Sequence, residues 1–285
     1  MNGSTAAVAQ PARPQVLGGD VSRASLFACA GVLAALNAQV GLIFQFLQVQ
    51  GIGAFIIQLG GISAIIWFAM YAAIRMGFEM PGKPAFWYDV PILAAIVLLS
   101  MAPIHTTGRA ALLLSATYLL VSSRRDTPER RVALILLALT GPLVWGPALL
   151  VLTPQPLLRF DAHLVGFLIG TPVNGNVVRF ATGGNDFFIA TGCSSIHNMS
   201  LALVLWTTSA VIFRLRVDAA YAAWGLAMVA LMFTLNIARL AAIGLFPEHF
   251  DFLHIGAGAA MFAWAGLLGS CSLAAAGTVL ANRRA

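Results

Sequence analysis

The segment Thr191–Asn198, with the sequence Thr-Gly-Cys-Ser-Ser-Ile-His-Asn, contains several side chains capable of chemistry. A glycine-rich, strand-like segment precedes it, and an apolar run long enough to cross a bilayer begins at Met199. Cys193 is therefore expected at the N-terminus of a membrane helix, where the partial positive charge of the helix favours the reactive thiolate. The alternative is a small packing residue, since free cysteines are often buried without a chemical role.

A later apolar run contains two further polar side chains. Arg239 lies within Val229–Leu245, and Asn236, three residues earlier, shares its helical face. A charged residue in lipid costs roughly 2.5–3.5 kcal/mol on insertion scales, so the position of Arg239 needs a reason. Either the guanidinium snorkels to the outer headgroups, or Arg239 and Asn236 meet a shared polar partner.

Histidines provide candidates for a general base. His254 is expected near the outer membrane boundary at the start of the last apolar run, and His249 lies closer to the preceding loop. His197, one turn after Cys193, is a rival base, although it would point deeper along the helix. A single interfacial histidine is more often structural or solvated. Together, however, a thiol, a guanidinium and an imidazole on three successive helices are the groups that nucleophilic acyl transfer requires.

The composition is that of a membrane protein. Of the 285 residues, 60% are hydrophobic and 9% are charged, whereas soluble domains contain about 25% charged residues. The apolar runs lack the alternation of barrel strands, so the chain is predicted to be an all-α, polytopic membrane helical bundle. We expect about eight transmembrane helices, over residues 24–48, 52–75, 87–104, 108–123, 131–152, 193–215, 218–245 and 250–280.

The placement of lysine and arginine predicts the orientation in the membrane. With the N-terminus inside, 12 of the 16 basic residues are cytoplasmic, and both termini are then cytoplasmic in a plasma (inner) membrane. Cys193 becomes extracytoplasmic. The net charge of +6 is attributed to loops that face anionic membrane lipids and does not indicate a nucleic-acid partner. The twelve basic residues expected on the cytoplasmic side are Arg13, Arg23, Arg75, Lys83, Arg124, Arg125, Arg130, Arg131, Arg214, Arg216, Arg283 and Arg284. The four expected on the outer side are Arg109, Arg159, Arg179 and Arg239.

The chain is predicted to form a single membrane domain with four segments. Residues 1–20 form a disordered cytoplasmic tail without a cleavable signal peptide, and residues 21–152 contain five transmembrane helices. Residues 153–192 are an extracytoplasmic connection, and residues 193–285 form the three-helix catalytic part.

The connection is expected to contain an interfacial helix and a β-hairpin. Gln155–Gly170 has the pattern of an amphipathic or re-entrant helix, and Thr171–Asn176 is predicted to be a turn. Val177–Ala181 and Phe187–Thr191 flank a Gly-Gly-Asn turn signal typical of a hairpin. The hairpin either binds an extended peptide by strand addition or closes the bundle as a surface loop.

No metal or other cofactor is expected. The three cysteines, Cys29, Cys193 and Cys271, have neither a disulfide framework nor a zinc-ligand spacing. Cys29 and Cys271 lie inside apolar runs and are interpreted as packing residues.

The segment from Asp161 to Gly258 resembles the exosortase/archaeosortase family of membrane-embedded cysteine transpeptidases. The order Cys, Arg, His on successive helices is the most specific part of the resemblance. The contributing motifs are Leu168-Ile169-Gly170-Thr171-Pro172-Val173, the glycine-rich hairpin, Ala190-Thr191-Gly192-Cys193-Ser194-Ser195, Asn236-Ile237-Ala238-Arg239 and the His254 segment.

The resemblance implies roles for individual residues. Cys193 is then the nucleophile, Arg239 stabilises the oxyanion, and His254 is the acid/base. Family members usually have Cys-Ser-Gly, and a left-handed backbone at the third position would cost more for Ser195 than for glycine. The supporting or alternative residues are Asn236, His197, His249, Ser194 and Ser195.

The resemblance also implies a substrate and a reaction. The substrate is an exported protein with a C-terminal sorting signal of the PEP-CTERM kind, which has a Pro-Glu-Pro-like motif, a hydrophobic helix and a basic tail. The enzyme cleaves this signal through a thioester on Cys193. It then transfers the protein to a lipid or glycan acceptor at the cell surface.

Two other functions remain open. A small-solute membrane transporter would use polar residues of the first two spans, although these are expected to join helices, and no repeat with broken helices is visible. These residues are Asn37, Gln39, Gln45 and Gln58. A non-catalytic membrane scaffold of the same fold is the second alternative.

Overall fold

The computed structural model describes residues 21–79 and 82–283. The predicted disordered tail, with Arg13, lies outside the described residues, as does Arg284. Within those ranges the protein is mostly helical, with one small antiparallel sheet. The elements are α1 Arg23–Asn37, α2 Val40–Ile57, α3 Ala64–Glu79, α4 Asp89–Met101, α5 His105–Ser122, α6 Pro128–Thr140, α7 Gly146–Leu152, α8 Pro154–Ile169, β1 Val173–Asn174, β2 Val177–Arg179, β3 Asp186–Phe188, α9 Ser195–Ile212, α10 Ala219–Leu245, α11 Phe250–His254 and α12 Ala257–Asn282.

In this part of the chain, four helical segments are long and apolar enough to cross a membrane. They are α9, α10, α12 and the segment Pro128–Leu152, in which α6 continues through a π-helical turn into α7. A fifth crossing results if α1 and α2, which are bent by 55° at their junction, form one broken span. The chain is thus a multi-pass helical membrane protein, as predicted, but the predicted count of eight crossings is not confirmed.

The first two predicted spans have wrong boundaries. The span 24–48 contains the bend between α1 and α2, and the span 52–75 is interrupted between α2 and α3. In that interruption Gly60 and Gly61 have φ angles of +65° and +73°. An uninterrupted right-handed helix requires negative φ, so α2 and α3 cannot be continuous through these two glycines.

The last predicted span, 250–280, is also divided. The short helix α11 ends at His254, and α12 begins three residues later. The backbone N–H groups of Ile255 and Gly256 both donate to the Asp251 carbonyl, which ends α11. His254 therefore lies at a helix end and not within a continuous span.

A first hydrophobic core joins α1, α3, α5, α6 and α9. Lipid chains are as apolar as leucine, so membrane helices associate through close packing, which small side chains permit. The buried alanines of this core allow that approach; they include Ala24, Ala28, Ala34, Ala73, Ala111 and Ala133.

A second core lies beneath α8 and the sheet, against α10. The helix predicted over Gln155–Gly170 is present as α8, and its buried apolar residues recur at helical spacing on one face. Gly170 ends it in the left-handed conformation, with φ +71°. The core residues are Leu158, Ala162, Val165, Val178, Phe187, Ile189, Ile237, Leu240, Ile243 and Leu253.

The predicted hairpin is present as β2 and β3, with Val178 opposite Phe187. The stretch predicted as a turn contains the additional strand β1, which pairs antiparallel with β2. Beyond β2, the Ala181 N–H donates to the Gly244 carbonyl near the end of α10, at 2.9 Å. The hairpin is therefore attached to α10, and this fixes the chain that leads into the segment containing Cys193.

A buried ion pair joins α1 to α4. Arg23 donates to both carboxylate oxygens of Asp89, each at 2.9 Å, and both side chains are almost completely buried. Arg23 also donates to Ser122 Oγ, and the Tyr118 hydroxyl donates to Asp89 at 2.8 Å. The guanidinium contacts the rings of Phe27, Phe86 and Tyr118.

Replacing Asp89 with alanine should lower the free energy of unfolding by about 3–5 kcal/mol, because Arg23 would stay buried without a counter-charge. The double variant Arg23→Met with Asp89→Leu should lose much less, since it leaves no buried charge. Unfolding in detergent micelles measures both. Glu79→Ala, which breaks the exposed Arg75–Glu79 pair, is the control and should change stability by at most about 1 kcal/mol. Equal losses in the single and double variants would contradict this account.

Candidate active site

Cys193 lies just before the helix that the sequence predicts it to start. It ends a single 3-10 turn, Thr191–Cys193, and is half-buried. The helix α9 begins at Ser195, and Ser194 is its N-cap, with the hydroxyl accepting from the Ile196 N–H at 3.4 Å. The thiol is therefore close to the positive end of the α9 dipole, which favours negative charge.

The imidazole of His254 meets this thiol. His254 Nε2 lies 3.8 Å from Cys193 Sγ, although the two residues are 61 positions apart in the chain. The histidine ring packs against Phe250, with the ring centroids 5.0 Å apart. A thiol and an imidazole at this distance can exchange a proton, which is the first requirement for an activated sulfur nucleophile.

The Asn236 side-chain amide connects α10 to the turn containing the cysteine. Its nitrogen donates to the Cys193 carbonyl at 2.9 Å and to Ser195 Oγ at 3.1 Å. Its oxygen accepts from Asn198 at 3.1 Å and from Arg239 Nη2 at 3.5 Å. Two donated and two accepted bonds use the ordinary capacity of the group, so Asn236 is held in one orientation.

Arg239 reaches the cysteine only through Asn236. The guanidinium is half-buried, and its buried Nε has no partner. Within residues 21–79 and 82–283 Arg239 forms no ion pair with a carboxylate. A positive group without a counter-ion, beside a candidate nucleophile, is available to stabilise negative charge that develops during a reaction.

Asp161 of α8 completes the network. Its carboxylate is buried and accepts from the backbone N–H and from the hydroxyl of Ser195, each at 3.1 Å. Burial raises the pKa of Asp161 above its ordinary value, and the hydrogen bonds from Ser195 oppose that rise. Asp161 is not among the residues that the sequence predicts for the site. A signal is present, however, because Asp161 lies on the apolar face of α8, three residues after Leu158 and four before Val165.

Ser195, at the position where the resemblance implies a glycine, makes two side-chain hydrogen bonds. Its hydroxyl donates to Asp161 and accepts from Asn236, so it joins α8 to α10 at the first residue of α9. Its φ angle is not positive. The cost that a left-handed serine would carry therefore does not arise.

In the described part of the chain, neither of the other two candidate histidines forms a hydrogen bond with the thiol. His197 is exposed on α9 and forms no hydrogen bond with Cys193, and the exposed His249 pairs with Glu248 at 3.3 Å. Cys29 and Cys271 are exposed on α1 and α12, so their interpretation as packing residues is wrong. Among the described residues, no group of three or more His, Cys, Asp or Glu side chains is placed to hold a metal ion.

Replacing Ser195 with alanine should lower the free energy of unfolding by about 1–3 kcal/mol, because Asp161 and Asn236 would each lose a buried partner. Unfolding in detergent micelles measures the loss. Ser272→Ala is the matched control, since this exposed serine bonds only to the Leu268 carbonyl of its own helix, and it should change stability little. If both variants lost the same stability, the Ser195 bridge would have no energetic importance.

Comparison with known proteins identifies the family of the chain. A sequence model of the transmembrane exosortase (EpsH) family matches residues 61–269, which is well over half of the chain. Neither a search of curated proteins nor a search of solved structures returned a match. The matched range includes Cys193, Asn236, Arg239 and His254, together with α8 and the sheet. On this extent of similarity, the chain belongs to the transmembrane exosortase family.

Proposed function

We propose that this protein is a cysteine transpeptidase that removes C-terminal sorting signals from exported proteins. The observation that carries the proposal is the 3.8 Å contact between Cys193 Sγ and His254 Nε2 at the N-terminus of a membrane helix. Membership of the exosortase family supports the same reaction and a substrate of the PEP-CTERM kind.

In the proposed first step, Cys193 Sγ attacks the carbonyl carbon of the scissile peptide bond while its proton passes to His254 Nε2. Arg239 stabilises the negative charge on the carbonyl oxygen of the tetrahedral intermediate. The carbon–nitrogen bond then breaks, His254 returns the proton to the leaving amine, and a thioester remains on Cys193. In the second step an acceptor nucleophile attacks the thioester and gives its proton to His254, and the thiol is restored.

The proposed substrate reaches the site along the membrane. A sorting signal with its own hydrophobic helix diffuses within the bilayer, and its Pro-Glu-Pro-like motif arrives at the surface where α9 begins. The short sheet beside Cys193 presents edge strands β1 and β3, which could bind the extended motif by strand addition. The acceptor is a cell-surface lipid or glycan.

The proposed topology places this site outside the cytoplasm. If α1 with α2, α3, α4, α5, α6 with α7, α9, α10 and α12 each cross the membrane, the chain crosses eight times and both termini are cytoplasmic. The positive-inside rule supports this orientation, because the loops opposite Cys193 carry most of the arginines. The active site is then extracytoplasmic, as secreted substrates require.

Cys193→Ala and Cys193→Ser should both abolish cleavage of a co-expressed, tagged substrate that ends in a sorting signal, because neither variant can form a thioester. Cys271→Ala is the matched control and should cleave normally, since Cys271 is exposed on α12, away from the site. Immunoblotting for loss of the C-terminal tail measures cleavage. Normal cleavage by both Cys193 variants would refute the proposal and leave the transporter and scaffold hypotheses.

Arg239→Gln should lower the rate of cleavage by about 10²–10³-fold, the usual effect of removing one donor to an oxyanion. Thioester trapping with a peptide substrate and a time course of its formation measure this rate. Arg159→Gln removes an exposed arginine of α8, outside the sheet proposed to bind the substrate, and serves as the control. A similar small effect of both variants would assign Arg239 a structural role only.

A further inference from the structure

A second site lies at the other end of α9. A cavity of about 980 Å³ opens between α6 and α9, and the loops after α5 and α9 contribute to its mouth. Its volume is in the range of small-molecule binding sites. The reaction proposed above uses none of the residues that line it.

The mouth of the cavity is strongly basic. Four arginines and a single acidic residue line it: Arg125, Arg130, Arg131, Arg214 and Asp126. In the described part of the chain, no carboxylate forms an ion pair with Arg125, Arg130 or Arg214. The excess positive charge therefore favours an anionic ligand.

Away from its mouth, the cavity is lined mostly by apolar side chains. Leu137, Leu203 and Trp206 line it, and it continues past Ser200 to the π-helical turn that ends at Trp145. From Arg214 to Ser200 the cavity follows α9 for about 21 Å at 1.5 Å per residue. A soluble anion would leave this apolar length empty, whereas a lipid acyl chain would fill it.

The backbone at the mouth is strained at two positions. Asp126 and Arg214 have φ angles of +64° and +54°. Arg214 follows the end of α9, where the Leu215 N–H donates to the Ala210 carbonyl at 2.9 Å, and glycine is the preferred residue at this position. Strain of this kind persists most often at ligand-binding and active sites, and here it lies among the basic residues of the mouth.

We propose that this cavity binds an anionic phospholipid, with the phosphate on the arginines and one acyl chain along α9. The basic mouth and the apolar interior match the two parts of such a lipid, and basic pockets between membrane helices are known sites for anionic headgroups. The site is independent of the transpeptidase reaction. In the orientation proposed above it takes its lipid from the cytoplasmic leaflet.

The test uses the full-length protein in phosphatidylcholine nanodiscs, to which phosphatidylglycerol with brominated acyl chains is added. Bromine quenches tryptophan fluorescence at short range, and Trp145 and Trp206 line the cavity. Saturable quenching by phosphatidylglycerol, with little quenching by brominated phosphatidylcholine, is the expected result. Trp206→Phe should reduce its amplitude.

Two glycine variants remove one arginine each and separate this site from general surface charge. Arg214→Gly should weaken the apparent affinity for phosphatidylglycerol about fivefold, the effect of one arginine near a membrane surface. It should not lower the melting temperature, because glycine adopts the positive φ without strain. Arg216→Gly, at an exposed arginine that does not line the cavity, should leave the affinity unchanged.

Three results would overturn the proposal. Equal quenching by the two brominated lipids would show no selectivity for the anionic headgroup. Equal weakening by Arg214→Gly and Arg216→Gly would show diffuse attraction to the membrane surface. Displacement of the quencher by inorganic phosphate at the concentrations at which unlabelled phosphatidylglycerol displaces it would show an anion site without a lipid chain.

Discussion

The position of the candidate nucleophile depends on the Asn236 amide, which bonds to the Cys193 carbonyl and the Ser195 hydroxyl from α10. Near the hydrocarbon region such polar groups cannot rely on water, so their partners must come from the protein itself. Asp161 fixes the same serine from α8. Three helices thus meet at one residue, and Cys193 sits beside that junction with its side chain free to face His254.

The hydropathy of the sequence was sufficient to predict the class of fold but not the positions at which the helices are interrupted. Long apolar runs identify a multi-pass helical protein whatever the details of each helix. Two of the interruptions lie inside such runs, one at Gly60 and Gly61 and the other at Ile255 and Gly256, where α11 ends. They could not be seen in the hydropathy because glycine and isoleucine leave the apolar pattern unchanged. What ends these helices is backbone conformation, which hydropathy does not record. Strand β1 was missed because its two residues are ordered by pairing with β2.

The sequence predicted those residues of the candidate site whose places follow from the order of the apolar runs. It did not predict the residue whose place depends on burial against a distant part of the chain. Cys193 and His254 were expected at one depth because they begin the sixth and the eighth predicted spans from the same side of the membrane, and their side chains lie 3.8 Å apart. Asp161 comes from α8, 34 residues before its partner Ser195, and a lone acidic residue on an interfacial helix resembles many solvated ones. Ser195 looked like a conformational cost because its two hydrogen-bonding partners could not be seen in the sequence.

The buried ion pair between Arg23 and Asp89 determines the order in which α1, α4 and α5 can pack together. The two residues are 66 positions apart, and Ser122, which also binds Arg23, is synthesised later still. Until α4 and α5 exist, the guanidinium can be accommodated only among headgroups or water. The helix α1 would therefore complete its packing only after α4 and α5 have been made, although it precedes both in the chain.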